Sequence, residues 1–339
     1  MCCYVCGVEG GSTSTEVLIL SLDGRERSKV VGPHVNQWTL GVETAVKRAI
    51  GLIELALDKA KLPTNTKFLS IGLALSGVDS EENSRDIENE IRRTKPNLAE
   101  HIYVCNDCQG TLFSVTDKGG IVLIAGTGSN CKLIREDLSS YGVGGYGHML
   151  GDEGSAFWIV HCAIKTYLDN DEGLVLTPHD TSSVKRAIFD YFGLQNNVDL
   201  LEPHYHFEKS HYSGLCKKLA ELARSGDALC QHIFYKAGFF LAAHVMAVLQ
   251  KADPQWRMKP EGVSVVCRGG VFHSWDLLES GFRDRVVPDI KTKEIVTSLR
   301  LVLITSSVAV GAALLAAHVK LHLDIPRNQT QQLLVEFHS

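Results

Sequence analysis

Residues 119–137 read GGIVLIAGTGSNCKLIRED. The apolar run Ile121–Ala125 stops at Gly126-Thr127-Gly128-Ser129-Asn130, and apolar character returns at Cys131. A short, β-branched apolar run bounded by glycines reads as a buried strand over 121–125, a turn, and a second strand over 131–135. The same arrangement occurs once before, in YVCGVEGGSTSTEVLIL from Tyr4, with its turn at Gly10-Gly11-Ser12-Thr13-Ser14-Thr15.

Working outward, Val42, Ala45, Val46, Ala49, Ile53, Ala56, Leu57 and Ala60 recur at helical spacing and predict a helix over 41–61. A strand FLSIGLAL (68–75), a charged amphipathic helix (81–93), a strand HIYVC (101–105) and a helical turn from Asp107 complete an α/β unit. After the second hairpin come helices near 153–168, 213–225 and 228–250, a strand VSVVC (263–267) and a small-residue helix over 307–318. A strand, glycine turn and strand used twice as an opening reads as a duplicated α/β domain with a cleft between the copies.

Composition agrees. At 339 residues the chain exceeds what one hydrophobic core usually supports, and 45% hydrophobic with 22% charged residues is ordinary for a globular protein. A net charge of -5 without a Lys/Arg cluster argues against nucleic acid as a partner. The opening MCCYVCGVEGG lacks the basic and apolar segments of a secretory signal, so the cytosol is the expected compartment. Residues 301–319 carry no formal charge, but Thr305, Ser306, Ser307, Gly311 and His318 interrupt them. Their Ala/Gly richness suits a buried helix packed closely against backbone rather than a membrane span. The ten cysteines do not form a disulfide framework at this length. CCYVC and CNDC (Cys105, Cys108) sit in or beside apolar strands, where reduced buried thiols are expected rather than zinc knuckles.

The two glycine turns carry the first chemistry. Glycine lets successive N–H groups converge on an anion and Ser/Thr hydroxyls add donors, so such turns cradle phosphate; a tight hairpin needing only positive φ is the alternative. Neither is a Walker loop or a dinucleotide fingerprint, because no Gly-Lys-Ser/Thr follows and a strand comes next. A third glycine turn, VVCRGGVFHSW (265–275), follows a third apolar strand. Asp107, just past the strand 101–105, is either an N-cap-like residue or a carboxylate facing the crevice where open α/β sheets bind ligands. The stretch GVGGYGHMLGDEGSAFW (142–158) holds six glycines before Ser155, which suits backbone contact with a ligand. There Asp152 either accepts from ligand hydroxyls or caps the following helix, and His148 is either a base or a packed structural histidine. Asn36 and Trp38 of VNQW offer a polar edge and a flat apolar face for a sugar ring, or merely lead into a helix with a half-buried Trp.

Taken in order, GVEGGSTSTEV, LSGVD, NDCQG, GTGSNCKL and GGYGHMLGDEGSAFW closely resemble the animal N-acetylglucosamine kinases of the actin-like sugar kinase/ATPase superfamily, from about residue 4 to about 320. The resemblance implies duplicated actin-like ATPase (ribonuclease H-like) domains flanking a nucleotide/sugar cleft. It places a sugar/phosphate lobe at 1–117 plus about 325–339 and a nucleotide lobe at 118–324. It implies ATP- and Mg²⁺-dependent phosphorylation of the 6-hydroxyl of N-acetyl-D-glucosamine, with a homodimer as the accompanying assembly. Asp107 falls on the family's catalytic base. Asn36, Asp107, Gly145, Tyr146, Gly147 and Asp152 fall on sugar-binding positions, with Trp38 beside them. Thr13, Thr127, Ser213, Gly270 and Ser274 fall on nucleotide positions. Two departures stand out: Arg268-Gly269-Gly270 where relatives have Gly-Ser, and Val143 and Tyr146 where they carry Cys and Trp. Competing classes are an actin-like nucleotide-switch ATPase, including the iron–sulfur activators of radical dehydratases, and a sugar-binding pseudokinase.

Overall fold

The computed structural model describes residues 4–11, 13–78, 80–293, 295–305, 307–327 and 331–338; Cys2, Cys3, Ser12, Asp79 and Ser306 lie outside them. The described residues divide into two units. One lies within Met1–Gly119, Ile134–Ser139 and Ile304–Gln332, the other within Gly120–Leu133, Ser140–Leu303 and Leu333–Ser339.

In the first unit, β1 (Tyr4–Gly10), β2 (Ser14–Ser21), β3 (Glu26–Pro33), β4 (Phe68–Leu75) and β5 (Ala99–Asn106) form one sheet in the order β3-β2-β1-β4-β5. β1 and β2 make the antiparallel hairpin, while β4 runs parallel to β1 and β5 parallel to β4. Parallel neighbours need a crossover, and helices Val42–Lys59 and Glu81–Thr94 supply it. The period-2 alternation of the strands then sorts their side chains between two faces. Cys6, Val8, Val17, Ile19, Ile71 and Leu73 cluster with Ala45, Val46, Ile53 and Ile87 of the crossover helices. Val5, Leu18, Leu20, Ala74 and Cys105 cluster instead with Ala309, Ala312, Ala313 and Leu315.

The latter residues belong to helix Val308–Leu321. The uncharged stretch 301–319 is therefore the end of a strand and a buried helix packed on backbone, as its small residues predict. The contact is close because the sheet presents bare backbone: a Cβ on Gly7 would lie 1.8 Å from the Ala309 carbonyl oxygen, and one on Gly72 equally near that of Ala312. That complementarity corrects the expected boundary at 118–324, since the helix packs with the first unit, not the second.

In the second unit, β6 (Gly120–Ala125), β7 (Ser129–Ile134), β8 (Ser140–Gly144), β9 (Val263–Arg268), β10 (Ser298–Ile304) and β11 (Gln331–His338) follow the order β11-β10-β9-β6-β7-β8. β9 runs parallel to β6 and β10 parallel to β9. Traced from β8, the succession β8-β7-β6-β9-β10 repeats the order of the first sheet, with β11 as an added edge. The duplication expected from the two hairpins is thus present in strand order as well as in motif.

Helix Ala228–Leu249 is long and apolar enough to cross a membrane by length and composition. In the fold, its Ile233, Phe234, Ala237, Leu241 and Val245 are core residues of the second unit, clustered with Leu278 and Phe282 of helix Trp275–Lys293. The helix expected over 213–225 is two, Lys209–Gly214 and Cys216–Arg224, with Leu215 between them. Cys105 and Cys108 are both buried and take part in no disulfide.

Candidate functional site

Three loops of the first unit meet at the carboxyl ends of its parallel strands. The β1–β2 turn closes with the Gly11 N–H donating to the Ser14 carbonyl at 3.0 Å. Directly after β4, the Ser76 N–H donates to the Gly10 carbonyl at 2.8 Å. Directly after β5 comes Asp107, and the Ser76 hydroxyl donates to its Oδ2 at 2.6 Å. Carboxyl ends of adjacent parallel strands are where open α/β sheets place ligands.

Asp107 is not a cap. The N-cap of helix Asp107–Phe113 is Asn106, whose Oδ1 accepts from the Cys108 N–H at 2.9 Å and which forms a capping box with Gln109. The acid is therefore the first helical residue, and its carboxylate is released from the capping work an Asp usually does there. It also acts electrostatically on its surroundings: burial first, and then the charge of Asp107, push the Cys105 thiol up.

Asn36 caps the short helix Gln37–Leu40, its Oδ1 accepting from the Trp38 N–H at 2.9 Å. The Trp38 indole donates to the Gly77 carbonyl at 2.9 Å, and Gln37 Nε2 donates to the same oxygen at 3.0 Å. These bonds tie the Asn36–Trp38 loop to the residue after Ser76. Trp38 is not half-buried as a helix lead-in would have it; it is 71% exposed and presents its ring to solvent. Thr13 is exposed in the β1–β2 turn.

The second unit repeats the strand-end arrangement. The turn after β6 is closed by the Gly126 N–H donating to the Gly128 carbonyl at 2.9 Å. It is anchored by the segment before helix Ala156–Asp171: the Ala156 N–H donates to the Gly126 carbonyl at 2.9 Å, and the Ser129 hydroxyl donates to the Glu153 carbonyl at 2.9 Å. The turn after β9 lies against it. Gly269 has φ +117, and a Cβ there would fall 2.2 Å from the Ala125 carbonyl oxygen, so only glycine fits. Gly270 has open space around it, with room for a side chain. Ser274 is buried at the end of the 3-10 turn Gly270–Ser274.

Asp152 does not cap the following helix either, because Ser155 does, accepting from the Trp158 N–H. It is 3% exposed and holds φ +66, a left-handed conformation that non-glycine residues seldom adopt. Its Oδ1 accepts from the Ser129 N–H at 3.0 Å and its Oδ2 pairs with Lys209 Nζ at 2.6 Å. Lys209 opens the helix that contains Ser213, whose hydroxyl donates to the Lys209 carbonyl at 2.7 Å. Gly144, Gly145 and Gly147 all have positive φ, and a Cβ on Gly145 would meet the Asn130 amide at 3.0 Å. Tyr146 is exposed. His148 packs between Phe157 and Phe207, at ring separations of 5.1 and 4.7 Å. Burial, then the Lys209 charge, lower its pKa, while Asp152 opposes them.

The first unit thus joins Asp107, Asn36 and Trp38 through Ser76 and Gly77, and the second joins Thr127, Asp152, Gly145 and Ser213 through Asn130, Ser129 and Lys209. Sequence reasoning assigned no role to Ser76 or Lys209. Ser76 could have been found by its place, since it follows β4 as Asp107 follows β5. Lys209 could not, because 57 residues separate it from Asp152.

The profile of the BadF/BadG/BcrA/BcrD ATPase family matches residues 6–316. An N-acetylmuramic acid/N-acetylglucosamine kinase of Clostridium acetobutylicum is 30% identical over 297 residues, covering 83% of this chain and 89% of its own. An N-acetyl-D-glucosamine kinase of Dictyostelium discoideum is 23% identical, with 93% and 98% covered. Among solved structures, a Chromobacterium violaceum protein described as a proposed N-acetylglucosamine kinase superposes with TM-score 0.73 at 24% identity, covering 92% of this chain and 98% of that one. A glucokinase of the ROK family from Streptomyces griseus, in complex with glucose and AMPPNP, superposes with TM-score 0.59 at 13% identity, with 93% and 99% covered. At these identities the structural likenesses bear on the fold.

Proposed function

We propose, from the premise that the chain belongs to the BadF/BadG/BcrA/BcrD ATPase family, that it is a cytosolic kinase transferring the γ-phosphoryl group of ATP to the 6-hydroxyl of N-acetyl-D-glucosamine. The observation that carries the reading is the state of Asp107: freed from capping by Asn106, oriented by Ser76, and placed at the carboxyl end of β5.

In this reading the first unit is the sugar/phosphate lobe and the second the nucleotide lobe. Ser76 occupies Oδ2 of Asp107, so Oδ1 is the oxygen that receives the sugar proton as the 6-oxygen attacks phosphorus in line. Asn36 and Trp38 hold the sugar, the ring face of Trp38 being available for stacking. Of the second unit, the glycine-rich residues Gly145, Tyr146 and Gly147 are assigned to the acetamido group and Asp152 to the ring hydroxyls.

The phosphate turn fits a polyanion by its donor chemistry. Gly126 and Ser129 spend their N–H groups inside the turn and its anchor, which leaves Thr127 and Gly128 N–H and the Thr127 hydroxyl as donors for phosphate. Thr13, Ser213, Gly270 and Ser274 are the further residues assigned to the nucleotide. Bound ATP supplies the phosphoryl group, and its Mg²⁺ offsets the charge that develops on the oxygens. The residues themselves contribute positioning and proton transfer.

Asp107→Asn tests the reading. The amide keeps the shape and cannot take the proton, so turnover should fall by about 10²–10⁴ while sugar affinity stays within roughly tenfold. Retention of a third or so of wild-type turnover would remove Asp107 from the mechanism.

A further inference from the structure

We infer that Lys209 is a positioning residue for phosphoryl transfer, fixing the Gly126–Ser129 turn through its ion pair with Asp152; this rests on the reading of that turn as the holder of the ATP phosphates.

The pair is not an ordinary surface bridge. The Asp152 carboxylate is 3% exposed, and a charge at that depth persists only with a partner and hydrogen bonds to satisfy it. Its two oxygens are divided between two tasks, one accepting the Ser129 N–H at 3.0 Å and the other the Lys209 ammonium at 2.6 Å. Ser129 ends the glycine turn, so the carboxylate is the link through which Lys209 holds it. The tip of the turn also rests on the pair: a Cβ on Gly128 would stand 2.7 Å from Asp152 Oδ1 and 3.1 Å from Lys209 Nζ. The backbone of Asp152 is held left-handed at φ +66, a conformation that survives only where the surroundings over-determine it. Lys209 supplies part of that constraint.

The ammonium has a second consequence. It stands beside a turn whose remaining donors serve an anion, and it retains partial exposure, 31% for the side chain. Its positive charge therefore lies where phosphate charge would arrive. It reaches His148 as well, whose pKa it helps to lower. Through its carbonyl, which accepts from the Ser213 hydroxyl, it joins the phosphate turn to a residue proposed for the nucleotide.

Three variants separate positioning from mere stability: Lys209→Met, Lys209→Arg, and Lys209→Met combined with Asp152→Asn. Each is assayed for unfolding midpoint, for affinity toward a fluorescent ATP analogue, and for sugar-dependent ADP release. Lys209→Met should weaken nucleotide affinity by about tenfold or more, the scale of one charge-assisted hydrogen bond, and lower turnover as well. Lys209→Arg, which keeps charge and donors, should recover most of both. The double variant, which removes the unpaired buried charge, should regain the unfolding midpoint without regaining nucleotide affinity. Wild-type affinity in Lys209→Met, or affinity that returns fully with stability in the double variant, would overturn the inference. A wild-type protein that binds the nucleotide but shows no sugar-dependent ADP release would overturn the kinase reading instead, leaving the affinity comparison intact.

Discussion

Asp107 owes its availability to the residue before it. An aspartate at a strand end ahead of a helix ordinarily caps that helix, but Asn106 takes the cap and Gln109 completes the box. The Ser76 hydroxyl then has one function visible in the fold, to orient the freed carboxylate at 2.6 Å. Ser76→Ala is expected to lower kcat by about tenfold, the value of one hydrogen bond to a charged group, with little change in sugar KM, because shape is preserved. A kcat within twofold of wild type would show that Asp107 needs no such orientation. Asp107 was legible in the sequence as a candidate base because its position after a strand is a local property. The cap was not, since NDC offers two adjacent capping residues and only geometry chooses between them. Asp152 was ambiguous for a related reason: the residue that caps the helix after it is Ser155, and its own partners are Ser129 and the distant Lys209.

At the scale of elements, helix Val308–Leu321 carries the lesson. Its burial against backbone could be read from its alanines and glycine, and its partner could not, because the glycines that accept it lie near the other end of the chain. Gly7 and Gly72 sit in β1 and β4, and the helix follows β10 of the other sheet. A linear boundary therefore cut it from the unit it stabilises. Gly72→Ala puts a methyl where the Ala312 carbonyl oxygen stands, 1.8 Å away, so strand and helix must separate. Overpacking of this kind typically costs about 1–3 kcal/mol, and urea unfolding should show at least that loss. An unchanged midpoint would mean that the helix adjusts freely and does not lock the sheet.

For the whole molecule, acid stability follows from the histidines of the second unit. His148, His161 and His232 all have lowered pKa values, with burial the leading cause in each. Neighbouring cations add to it: Lys209 at His148, His204 and Lys165 at His161, Lys236 and His179 at His232. The folded state therefore binds these protons less readily than the unfolded chain, which takes them near pH 6.5. Their effect is absent above that value, and stability is lost as pH falls through it. Urea midpoints should decline from pH 7.5 to 5.5, and His161→Gln with His232→Gln should flatten the decline; an equal slope in the variant would assign the effect elsewhere. Strand order confirms the duplication that two glycine turns announced, and the chemistry assigned to the two copies makes the central claim, a sugar-dependent phosphoryl transfer. The most direct test is ADP release by the wild-type protein with N-acetylglucosamine, with glucose and with no sugar. The account predicts rapid release with N-acetylglucosamine, a much lower kcat/KM with glucose because polar groups matched to the acetamide are left unpaired, and near-background release without sugar. ADP release at the same rate with and without sugar would contradict it and make the protein a nucleotide-driven ATPase.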